Sequence, residues 1–312
     1  MRHPRLSGHD NLLLADGHRD RVPPSLVAVA HGSRDPRAAA TISELLSLVR
    51  SQAAARGLHR LDVKAAFLDH CAPSLPQVLG SVAASGCVVV PLLLTAAYHS
   101  KTDIPAQIAA AGMPGLDVRC ADTLGPHPLL VAALERRLAE AGFGADGADR
   151  AATSVVLAAA GSSDPAANAT IGALAARWQR CSGWRDVVPA YASAASPSPA
   201  KAVGALRARG HRRIVVATYL LAPGYFADKI RREALEAGPR GVSGALGAAP
   251  EVAEVILDRY QAAVRDSAFG LWQGHGYPER TVVSAQLVTG SAGQNEHGSV
   301  PVRGARSPAR IT

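Results

Sequence analysis

Along residues 25–265, short apolar runs bounded by turn residues alternate with longer stretches in which apolar positions recur every three or four residues. The runs at 26–30, 63–68, 87–94 and 116–120 read as strands. Residues 87–94 are apolar on both faces, as in a strand buried within a parallel sheet. Helices fall between the runs. Asp35 caps the first, with Pro36 in its opening turn and Gly57 just past its end. Ser74 opens a second that stops at Gly86, a short third follows Asp103, and 127–141 is strongly amphipathic. This alternation predicts an α/β fold, a parallel sheet covered by helices on both faces.

The pattern is then written a second time. Ala160-Gly161-Ser162-Ser163-Asp164-Pro165 echoes His31-Gly32-Ser33-Arg34-Asp35-Pro36, and residues 187–197 echo 63–73. Residues 219–225, ending in Tyr225, echo 92–98, ending in Tyr98, and Leu246-Gly247 before Pro250 echoes Leu124-Gly125 before Pro128. The offsets, 129, 124, 127 and 122 residues, hold the four matches in order. The expected organisation is therefore a pair of similar tandem domains, 25–143 and 153–265, joined by a linker at 144–152. Residues 1–24, polar and ending in Pro23-Pro24, and residues 266–312, rich in Gly, Ser and Arg, read as disordered tails.

A chain of 312 residues suits two domains, and 48% hydrophobic content supports real cores. Aromatics make up only 4%, so those cores are built from Ala, Val and Leu. No unbroken apolar stretch has membrane-spanning length, and the run at 12–15 is too short for a signal peptide, so a cytoplasmic protein without membrane association is expected. Cys71, Cys87, Cys120 and Cys181 form no CxxC pair and read as small apolar residues in a reducing compartment. The net charge of +8 favours anionic partners. Charge alone does not choose between nucleic acid and a small polyanion. The basic residues are scattered and stacking aromatics scarce, so no nucleic-acid partner is expected.

Familiar catalytic motifs do not compete. Gly142 to Gly147 formally fits GxGxxG but follows a helix inside the linker, where a dinucleotide loop does not belong. GxxxxGK[ST] and GxSxG are absent. Ser33 is close to His31 in sequence, which is not triad geometry. Trp178, Trp184 and Trp272 form no stripe and read as packing or surface residues.

Ligands of open parallel sheets bind beyond the carboxyl ends of the strands. There the first copy places His31, Asp69 and, after the third strand, Tyr98-His99, with His127 at the start of the last helix. Imidazole and carboxylate together suit Fe(II), Co(II), Ni(II) and Zn(II). The second copy has Ala160, Ser193, Phe226 and Ala249 at those positions. Its backbone punctuation survives and its donors are gone, which points to function in the first copy.

The segments Val29 to Pro36, Ala66-Phe67-Leu68-Asp69, Pro91-Leu92-Leu93-Leu94 leading to Tyr98-His99, and Leu124-Gly125-Pro126-His127-Pro128 resemble the sirohydrochlorin chelatase and cobaltochelatase family, here in a tandem form over residues 25–264. The resemblance implies the class II chelatase fold, and because the second copy lacks the histidines, one active site per chain is expected. It implies that His31 and His99 bind the metal, and that they and Asp69 are catalytic. The family often has Glu at the position of Asp69, one methylene longer. It further implies a divalent metal, Fe(II) or Co(II), as substrate, sirohydrochlorin as the tetrapyrrole partner, and no tightly bound cofactor. Iron insertion to sirohaem is the expected reaction; the alternatives are cobalt insertion for cobalamin, or a protein that binds tetrapyrrole or metal without turnover. Substrate contacts are expected from Arg34, Ser33, Tyr98 and His127, Arg34 gripping a carboxylate.

Overall fold

The computed structural model describes residues 22–83, 85–96, 102–113, 115–144 and 147–265. Tyr98 and His99, Trp272, and nearly all of both expected tails lie outside the described residues. Among the described residues no helix is long and apolar enough to cross a membrane.

The first repeat runs β1 (Ser25–Ala30), α1 (Pro36–Ala55), β2 (Val63–Phe67), α2 (Leu75–Leu79), β3 (Cys87–Pro91), α3 (Ile104–Ala110), β4 (Val118–Cys120) and α4 (Pro128–Leu138). The second follows a short α5 (Gly147–Ala152) and runs β5 (Thr153–Ala159), α6 (Pro165–Ser182), β6 (Asp186–Tyr191), α7 (Pro199–Ala208), β7 (Arg213–Tyr219), α8 (Tyr225–Glu236), β8 (Gly241–Val242) and α9 (Pro250–Arg265). Each repeat forms a four-stranded parallel sheet, ordered β2-β1-β3-β4 and β6-β5-β7-β8. Strands β1, β3 and β5 are buried on both faces, as their continuous apolar runs require.

The caps explain where the main helices start. The Asp35 carboxylate accepts the Arg37 N–H at 2.9 Å, and Asp164 accepts the Ala166 N–H at 2.9 Å. In both helices Pro occupies the first position, where no N–H is needed. The helix opened by Ser74 is shorter than the sequence predicts. It ends at Leu79, because Gly80 caps it and the Ser81 and Val82 N–H groups bond back to Val78 and Leu79. The third strand likewise ends at Pro91, one residue past which the Leu92 N–H makes the last bond to Val29. The expected linker contains a helix, α5, tied down by the Arg150–Glu135 and Arg213–Asp149 ion pairs.

Alternate residues of β1 face different layers. Leu26, Ala28 and Ala30 enter a core shared by both repeats, and Val27 and Val29 a smaller one with α2 and α3. The second sheet does the same: Val155, Leu157 and Ala159 face the shared core, and Val156 and Ala158 face α7 and α8. The two sheets thus enclose a common helical layer, α1, α4, α6 and α9. Within it the last helices are exchanged. Helix α9 of the second repeat packs on α1 and β3 of the first, and α4 of the first packs against β7 of the second. Arg56, the C-terminal cap of α1, pairs with Glu254 and Asp258 of α9, and Tyr260 of α9 donates to the Pro24 carbonyl at 2.7 Å. From the other side, Glu135 of α4 accepts the indole N–H groups of Trp178 and Trp184 at 2.8 and 2.9 Å. Both indoles are buried packing residues.

Candidate functional site

His31 emerges at the end of β1 and is exposed. Gly32 follows at φ 92°, and a Cβ there would overlap the carbonyl oxygen of Asp69, so only glycine lets the two strand ends approach this closely. The Asp69 N–H donates to the His31 carbonyl at 3.0 Å, which fixes the backbones of the two candidate residues side by side. The second repeat has the same construction. Gly161 has φ 84° and crowds the Ser193 carbonyl, and the Ser193 N–H donates to Ala160 at 2.9 Å. The equivalence of His31 with Ala160 and of Asp69 with Ser193 is therefore geometric as well as sequential.

Asp69 is exposed and engages the next residue. One carboxylate oxygen accepts the His70 N–H and the other faces the His70 imidazole. His70 has φ 61° and Ala194, its counterpart, φ 56°. Sequence reasoning passed over His70. The signal was available, since aligning the two copies sets His70 against Ala194, one more donor that the second copy lacks.

The other expected contacts divide between loop and helix. Ser33 Oγ accepts the Asp35 N–H at 3.1 Å, and Ser162 Oγ does the same for Asp164 at 3.0 Å, so this hydroxyl shapes the loop in both copies. The Cys71 thiol donates to the Ser33 carbonyl at 3.0 Å and holds the second loop against the first. Arg34 is exposed on the same loop. His127 caps α4: its Nδ1 accepts the Leu129 N–H at 3.2 Å, which leaves the neutral ring with its proton on Nε2. Burial, with help from the Arg259 charge, holds the His127 imidazole below its ordinary range against the opposing pull of Asp258. None of the four cysteines is in a disulfide, and burial beside Asp117 pushes the Cys87 thiol up to about 12.

The second repeat closes the same edge from the opposite side. A Cβ on Gly224 would lie 3.8 Å from Ser33 Oγ and 3.9 Å from Asp35 Cβ, so the start of α8 abuts the loop that carries His31. Arg37 clasps it there, with one guanidinium nitrogen 2.6 Å from both Asp35 and Asp228. That guanidinium holds the Asp35 carboxyl below the usual carboxylate range. Tyr219, fully buried, donates to the Leu94 carbonyl at 3.3 Å, at the head of the segment leading to His99. Among the described residues no three His, Cys, Asp or Glu side chains gather closely enough to hold a metal ion. The donor set of this edge is His31, Asp69 and His70, with His99 outside the described residues.

A family model described as CbiX matches residues 25–141 and, a second time, residues 154–263. The chain belongs to the CbiX family. The two CbiX matches coincide with the two sheets, so the donors present in one repeat and missing from the other are departures within a single family pattern. A sirohydrochlorin ferrochelatase of Priestia megaterium is 28% identical over 173 residues, 54% of this chain and 63% of that protein. The chain thus spans less than two thirds of that relative's length. A sirohydrochlorin cobaltochelatase of the same organism is 26% identical over 211 residues, 66% of this chain and 67% of that protein. Among solved structures, SirB from Bacillus subtilis with Fe3+ has a TM-score of 0.66 at 24% identity, over 80% of this chain and 98% of that one, which shows a shared fold.

Proposed function

We propose that this CbiX-family chain is a metal chelatase that inserts Fe(II) into sirohydrochlorin, at one site on the first repeat. The observation that carries this reading is the asymmetry of two matched strand edges. The same glycine turn and the same strand-end hydrogen bond present His31 and Asp69 in one copy, and Ala160 and Ser193 in the other. The ferrochelatase relative supports the choice of reaction.

In this reading the macrocycle lies between the two repeats, over the edge where α8 meets the His31 loop. His31 and His99, in their neutral forms, pass the divalent metal to it as substrate. Two or three donors suit this task, since a closed four-ligand shell would retain the ion. Metal entry displaces two pyrrole N–H protons. Asp69, held by its backbone beside His31, is placed to take a proton. Arg34 grips a substrate carboxylate. His127 can donate from Nε2, and Ser33 acts through the loop it shapes. Tyr98 stands beside His99 in sequence and completes the substrate contacts. The reading has no tightly bound cofactor and a cytoplasmic location.

Cobalt insertion is the second reading, supported by the cobaltochelatase relative. An anaerobic assay following the absorbance of sirohydrochlorin with Fe(II), Co(II) and Ni(II), beside His31→Ala and His99→Ala, tests both. Rates well above the protein-free reaction, lost in both variants, are expected, and the fastest metal identifies the reaction. Rates equal to the protein-free control for every metal would leave a protein that binds tetrapyrrole or metal without turnover.

A further inference from the structure

The start of α8 carries two aromatic residues that the described residues leave exposed. Tyr225 is 71% exposed and Phe226 40% exposed. Their rings pack edge to face, with centroids 5.4 Å apart and planes at 70°. Of the other described aromatics, Phe67, Trp178, Trp184, Tyr191, Tyr219 and Tyr260 are buried and Phe143 is half-buried against the core. In a chain with so few aromatics, an adjacent exposed pair is a local exception.

Its place in the fold says what it faces. Gly224, one residue earlier, lies against Ser33 and Asp35, and the Arg37–Asp228 clasp holds the first turn of α8 to the first turn of α1. The pair therefore sits on the rim of the edge that carries His31. By the repeat, Tyr225 and Phe226 occupy the positions of Tyr98 and His99. The second copy has kept the tyrosine and exchanged the imidazole for a phenyl ring. A phenyl ring binds no metal, but it offers an apolar π face to a flat conjugated ring. Arg34 on the facing loop supplies the opposite need, a cation for an acidic periphery.

We infer that Tyr225 and Phe226 form an aromatic wall against which the tetrapyrrole ring rests, so that the second repeat binds the macrocycle while the first handles the metal. This inference rests on the chelatase reading above. It gives the second repeat, stripped of donors, a specificity role for planar macrocycles.

The test is the full-length Tyr225→Ala/Phe226→Ala variant, with Tyr225→Phe as the conservative control. Binding of sirohydrochlorin without metal is titrated by its absorbance change. The KM values for macrocycle and metal are then measured separately. The expected result is a rise of tenfold or more in the macrocycle Kd and KM. The metal KM and the thermal midpoint stay at wild-type values, and Tyr225→Phe binds as the wild type does. A double variant that binds the macrocycle with wild-type affinity, beside a wild type that turns over, overturns the inference and leaves the chelatase reading standing. A shift in the metal KM or the thermal midpoint without one in macrocycle affinity also overturns it. A wild type that neither binds nor metallates sirohydrochlorin overturns the chelatase reading and the inference with it.

Discussion

The Asp69 carboxylate closes on the residue that follows it: Oδ1 accepts the His70 N–H at 2.7 Å, and Oδ2 lies 3.3 Å from His70 Nε2. Both copies make this left-handed bend, so the bend belongs to the fold and only the side chains differ. If the carboxylate takes the substrate proton, Asp69→Asn lowers kcat by about 100-fold, the low end of general-base effects. His70→Ala, which frees the carboxylate from the neighbouring imidazole, changes kcat by about tenfold or less. Initial rates under saturating Fe(II) decide; an Asp69→Asn enzyme with wild-type kcat would remove Asp69 from the chemistry.

Ser33 and Arg34 are neighbours with different expected effects. Ser33→Ala removes an acceptor for the Asp35 N–H, and Ser162→Ala removes its counterpart, so each costs about 1 kcal/mol of stability. Chemical denaturation should give similar midpoints for the two. Arg34→Ala leaves stability unchanged and raises the macrocycle KM. A KM effect from Ser33→Ala beyond that of Ser162→Ala would add the Ser33 hydroxyl to the substrate contacts.

Glu135 is the polar joint between α4 and the second repeat. Its Oε1 accepts from Trp178, Trp184 and Arg150. Glu135→Ala strands two buried indole N–H groups, at about 1–3 kcal/mol each. The expected loss is about 3 kcal/mol, read from the denaturant midpoint at constant slope. A loss below about 1 kcal/mol would mean that water takes over both indoles.

His211 sets an acid limit on stability. It is buried, with Nδ1 2.6 Å from Ser154 Oγ. Burial, then the charges of Arg185 and Arg209, lower its pKa, while Asp186 pulls the other way. An unfolded histidine titrates near about 6.5. Below that pH the unfolded chain takes up a proton that the folded chain refuses, so stability is complete above about 6.5 and declines as the pH falls. Thermal midpoints from pH 7.5 down to 5.5 should drop less steeply for His211→Gln than for the wild type. Parallel curves would show that other groups govern the decline.

Much of the fold was legible because its signals are local. Asp35-Pro36 and Asp164-Pro165 announce α1 and α6 through caps that need only neighbouring residues. The apolar runs of β1, β3 and β5 announce burial on both faces. The short α2 was overestimated because residues 81–83 are as compatible with helix as with the turn that Gly80 starts. The exchange of α4 and α9 was not legible. An amphipathic pattern says that a helix buries one face and is silent on which sheet receives it. At the site, the pairing of His31 with Asp69 followed from strand ends. The turn of Asp69 toward His70 did not, because it depends on a left-handed residue that is not glycine.

The exchanged helices tie each half of the chain to the other as the subunits of an interlocked homodimer are tied, with α4 and α9 packed on one another. In a dimer of identical chains every substitution appears on both sides of the symmetry axis, so each side must remain capable of every task. Fusing the copies into one polypeptide lifts that constraint. His31 is matched by Ala160 and not by a second histidine, and Phe226 need not double as a ligand. The pair is an asymmetric set of side chains on a repeated frame, in which one side is free to change its chemistry while its backbone keeps the other side folded.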